Sequence, residues 1–73
     1  MNLYDVLKVI GDGDIYIYVN LEFENCLGVA PDISMKAFDL EYLSQDTLAM
    51  KVSKIAAKNG IICVCVKTER TNL

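Results

Sequence analysis

The sequence predicts an α+β fold, a short N-terminal helix with a small curled antiparallel β-sheet or partly open barrel. Three observations carry that expectation. Leu3, Val6, Leu7 and Ile10 recur at helical spacing between Asn2 and Gly11. Ile15, Ile17, Val19 and Leu21 alternate with Tyr16, Tyr18 and Asn20, which is the period of a strand. Ile61 to Val66 is an unbroken apolar run behind Asn59-Gly60, a dipeptide that favours a tight hairpin turn.

Each element follows from local chemistry. Asn2 is a good N-cap, and Asp5 stands where a carboxylate meets the free N–H groups and the positive end of the helix dipole. Gly11 stops the helix, and Gly11-Asp12-Gly13-Asp14 reads as a turn. Ile15 to Leu21 is the clearest strand. Glu22 to Asn25 reads as a bend, and Asn25 to Ala30 as a second strand in which Gly28 marks a bulge. Pro31-Asp32 breaks the pairing. Phe38-Asp39-Leu40-Glu41-Tyr42 alternates and predicts a third strand with its acids on the wet face.

The segment from Ser44 to Lys58 has two readings. One is a single helix capped by Ser44, with Leu48, Val52, Ile55 and Ala56 as its apolar stripe. The other is a one-turn helix near Gln45 to Met50, a strand through Val52 and Ile55, and a hairpin at Asn59-Gly60. Local spacing leans towards the first.

The 73 residues make one small domain with a thin core. A hydrophobic content of 53% argues against disorder, and the absence of histidine removes the commonest general base and metal ligand. Three cysteines without a disulfide framework predict a reducing, cytoplasmic setting. The start of the chain lacks a basic targeting region, and six consecutive apolar residues (Ile61 to Val66) are too few for a membrane span. The net charge of −3 hides an asymmetry. Asp12 to Asp46 carries eight acids and one base, or −7, whereas Thr47 to Leu73 carries five bases and one acid, or +4.

No catalytic set emerges. The Gly/Asp turn follows a helix and precedes a strand, the reverse of a phosphate cradle. Its spacing also puts Tyr16 and Ile17 where a calcium loop needs acid and glycine. Cys63 and Cys65 share one face of a strand about 7 Å apart, too far for an unassisted disulfide. Zinc would need Cys26 and a fourth ligand that no histidine supplies, so all three read as buried small hydrophobes. Neither a metal nor a cofactor is expected. The pairs Glu22/Glu24 and Asp39/Glu41 fall at i, i+2, where extended chain would put each pair on one face. Such rows either imitate a phosphate backbone or simply solvate a strand. Lys51, Lys54, Lys58, Lys67 and Arg70 could hold phosphates, but no aromatic residue follows Tyr42 to stack bases, which argues against direct nucleic-acid binding.

Both faces of Ile15 to Leu21 and of Ile61 to Val66 are apolar, and one short helix cannot cover them all. Either the sheet curls onto itself or a second chain buries the rest. A two-fold dimer would use Tyr16 and Tyr18, with Lys54 meeting the acidic middle of the other copy.

The order Leu3-Tyr4-Asp5-Val6-Leu7-Lys8-Val9-Ile10, a Gly/Asp turn, then a strand resembles a set of short phage and Firmicutes proteins of no established function. Their closing pattern corresponds here to Val52-Ser53-Lys54-Ile55, Lys58-Asn59-Gly60 and Ile61 to Val66. The likeness is one of hydrophobic spacing over about two-thirds of the chain, and Glu22 to Leu43 departs from it as longer and more acidic. It implies a curled antiparallel sheet and tips Ser44 to Lys58 towards the hairpin. It further implies a non-enzymatic protein-interaction module, such as a phage inhibitor of a host defence protein of the anti-CRISPR kind. Glu22, Glu24, Asp39 and Glu41 would then meet a basic partner surface. A structural or assembly subunit of a phage or cellular complex is the alternative.

Overall fold

The computed structural model describes residues 1–26 and 28–68. Helix α1 (Leu3–Ile10) leads into strand β1 (Asp14–Val19), and β2 (Ile33–Lys36) follows a 3-10 turn at Phe23–Asn25. A second 3-10 segment, Ala37–Tyr42, and the one-turn helix α2 (Gln45–Leu48) then lead to β3 (Lys51–Lys58) and β4 (Ile61–Lys67). The fold is α+β, with a short N-terminal helix and an open four-stranded sheet of order β2-β1-β4-β3. Among the described residues no helix is long and apolar enough to cross a membrane.

Capping fixes the start of α1 as expected. The Asp5 amide donates to Asn2 Oδ1 at 2.9 Å, and the Asn2 amide donates to Asp5 Oδ2 at 3.3 Å. This reciprocal box is worth about 1 kcal/mol. Leu3, Val6 and Leu7 then bury against Ile15 and Ile17 of β1 and Val64 and Val66 of β4, with Ala37 and Leu48 closing the layer.

The Ser44 to Lys58 segment takes the hairpin arrangement. Ser44 caps one turn only, and β3 pairs antiparallel with β4 from Lys51↔Lys67 to Lys58↔Ile61. Asn59 and Gly60 both have positive φ, 53° and 79°, the requirement of a type I′ turn. The register slips between Val52 and Lys54, and Ser53 Oγ donates to the Cys65 carbonyl at 3.2 Å.

Three expectations are corrected. The sheet is mixed, because β1 and β4 pair in parallel (Ile17↔Val64, Tyr18↔Cys65) while the two outer pairs are antiparallel. Strands that are apolar on both faces belong in the middle of a sheet, where each face is covered. That is where β1 and β4 lie. Among the described residues of 25–30 none is in a strand: Phe23–Asn25 is 3-10, and pairing with β1 comes later, from Ile33 to Lys36. Nor is Phe38 to Tyr42 a strand. Ala37, Leu40 and Leu43 recur every third residue, the period of a 3-10 helix, and these three pack on the core. Phe38 and Tyr42 point out to solvent.

Candidate interaction surfaces

The face of the sheet opposite α1 carries Tyr16 and Tyr18 from β1 and Cys63 and Cys65 from β4, aligned by the parallel register. Leu21, Phe23 and Cys26 cover it. The expectation that Tyr18 lies on an open self-association face is corrected: it is only 4% exposed, and its hydroxyl donates to the Val29 carbonyl at 2.9 Å. Tyr16 stays half-buried. It lines a cleft of about 310 Å³ with Phe23, Val29, Lys58 and Ile61.

All three cysteines are buried, with Cys26 Sγ 3.8 Å from Cys65 Sγ. Burial pushes the Cys65 thiol up from its ordinary 9.0 to about 11, helped by the hydrogen bond and charge of Cys26 and by the charges of Cys63 and Glu22. Burial likewise raises the Tyr18 phenol, with Cys63, Cys26, Tyr16 and Cys65 adding to the effect. A thiol so held is a poor nucleophile at neutral pH. Iodoacetamide at pH 8 is expected to leave Cys65 unmodified until urea is added. Stability should hold level below pH 9.0, where the thiol is protonated in both states. It should fall as pH rises towards 11, because the unfolded chain loses its proton first. A denaturation midpoint that rises between pH 9 and 11 would contradict this environment.

The two acid pairs expected to meet a basic partner, Glu22/Glu24 and Asp39/Glu41, lie at opposite ends of β1. Glu22 lies beyond the C-terminal end of β1, where Lys67 Nζ stands 3.5 Å from its carboxylate, and Glu24 is in the adjacent 3-10 turn. Asp39 and Glu41 lie past the end of β2, beside the start of β1. The strand between the two pairs is about 17 Å long at roughly 3.3 Å per residue. Asp39 and Glu41 are not on extended chain, so the alternation that would have put them on one strand face does not apply. Lys36 instead pairs with Asp14 at 2.8 Å across the β1–β2 register.

Sequence reasoning missed the feature with most to offer a partner, the outer edge of β3. The N-terminus covers its beginning: the Leu3 amide donates to the Met50 carbonyl at 2.9 Å and the Val52 amide to the Met1 carbonyl at 3.0 Å. From Ser53 to Lys58 no described strand pairs with the outer side. In a hairpin closed by a two-residue turn the flanking pair is hydrogen-bonded, so Ile55 and Ala57 present their amides and carbonyls outward.

Two different surfaces flank this edge. On the helix side Ile55 borders a groove of about 170 Å³ lined only by apolar residues: Met1, Val6, Val9, Ile10, Ile55 and Ile62. Val9 is 83% and Ile55 44% exposed. The other side carries Lys54 and Lys58, and Lys54 Nζ sits 5.9 Å from the centre of the Phe23 ring. The available signal was the run Lys51 to Lys58, three lysines with no acid. Among the described residues no three His, Cys, Asp or Glu side chains stand together to hold a metal ion. Comparison with family models, with curated proteins and with solved structures finds no match for this chain.

Proposed function

We propose that this chain is a non-enzymatic protein-interaction module that binds an extended segment of a partner along the open edge of β3. The observation that carries the reading is the outer side of β3 from Ser53 to Lys58, which no described strand pairs, beside an exposed apolar groove. An edge of this kind is a ready template for strand addition. Lysines on it fit the same role, since they discourage pairing between copies and leave room for a partner of other charge. The likeness to short phage proteins supports one form of the activity, in which the chain occupies a host protein and inhibits it within the bacterial cytoplasm.

Ile55→Pro tests the reading, because it removes an outward amide and leaves the β3–β4 pairing in place. Capture from bacterial lysate with mass spectrometry should find a partner that the wild type retains and the folded variant loses. Bound partner should protect the amides of Ser53 to Lys58 from exchange. A partner lost instead on reversing Glu22, Glu24, Asp39 and Glu41 to Lys, with no protection along β3, would move the interface to the acids.

A further inference from the structure

We infer that the edge of β3 selects a segment in which apolar and acidic residues alternate. This rests on the strand-addition reading and names the chemistry of its partner. A strand added to a sheet continues the pleat, so its side chains fall alternately on the two faces. On the helix side they enter the groove between Val9, Ile10, Ile55 and Ile62, which offers no polar group. On the other side they come beside Lys54 and Lys58. Among the described residues neither lysine has a carboxylate within ion-pair distance, whereas Lys36 and Lys67 each have one. Opposite charges across neighbouring strands attract and like charges repel. A second copy of this chain is therefore a poor occupant, because pairing β3 with itself brings lysine row against lysine row. Acid on one side and aliphatic residues on the other satisfy both surfaces at once.

The test uses the whole protein and three blocked eight-residue peptides: alternating Val-Glu, alternating Val-Lys, and four valines followed by four glutamates. Titration is followed by amide NMR shifts at low salt. The Val-Glu peptide should perturb Ser53 to Lys58 and saturate first. Lys54→Glu/Lys58→Glu, both exposed positions, should weaken it about tenfold and transfer the preference to Val-Lys. Binding should also fall as salt screens the lysines. If the two alternating peptides bind equally well, the charge selection is wrong and strand addition stands. If the block peptide equals the alternating one, the two-sided fit is wrong. If no peptide perturbs the edge, this inference and the strand-addition reading fall together. A single-stranded oligothymidylate that takes Lys54 and Lys58 more tightly than Val-Glu would assign them to phosphate.

Discussion

Ile17→Ala is expected to lower stability by about 2–5 kcal/mol, which for a domain this small consumes most of the margin against unfolding. Ile17 is fully buried on β1, with Ile33 and Val64 as its cross-strand neighbours and the α1 side chains in the same core cluster. Truncation leaves a cavity bounded by three elements that cannot all close in. Urea denaturation followed by circular dichroism is the measurement, with a lower midpoint and an unchanged slope as the expected result. Val9→Ala supplies the contrast. Its side chain is 83% exposed, and the change should stay within about 0.5 kcal/mol. Equal effects at the two positions would mean that the helix packs on the sheet through another face.

Gly60→Val is expected to cost about 1–3 kcal/mol through the backbone alone. A Cβ at this position would meet nothing within 4 Å, so crowding is not the cause. The cost comes from φ of +79°, which a β-branched residue scarcely adopts. Gly60→Asn should cost less, because asparagine tolerates the left-handed region, as Asn59 already does at +53°. Faster amide exchange in β3 and β4 with β2 unaffected would localise the damage to the hairpin. Equal midpoints for the Val and Asn variants would rule out a type I′ turn.

What could be read beforehand was local. Asn2, Asp5 and Gly11 bound α1 through contacts no more than a few residues apart, and the Asn59-Gly60 turn brings together strands that adjoin it. The segment from Phe38 to Tyr42 reads as a strand because two periods overlap in it. Phe38, Leu40 and Tyr42 alternate like a strand, while Ala37, Leu40 and Leu43 recur every third residue, and burial follows the second set. The parallel pairing of β1 with β4 was not legible, since neither strand carries a mark naming a distant partner. The apolar faces of both strands were seen, but their cover was assigned to curling or a second chain. On the face opposite α1, Leu21, Phe23 and Cys26 of the same chain supply cover. The β3 edge was visible only as a basic run, because which strand ends a sheet depends on every other pairing.

The parallel pairing also sets the order in which the molecule can be assembled. Its end is tied by Asn20, whose side chain accepts from the Thr68 amide at 3.1 Å across 48 positions of sequence. On a ribosome, α1, β1 and β2 emerge well before β4 exists, at roughly 5–20 residues per second. Through that interval β1 lacks the neighbour that lies between it and β3, and its tyrosines and isoleucines have no finished layer to enter. The β3–β4 hairpin closes locally within microseconds once made, whereas docking it onto β1 requires closing the long loop. Of the described strands β4 is the latest made, and it is thus the keystone. A chain truncated before Ile61 would retain a helix and a two-stranded ribbon but no sheet on which to pack them.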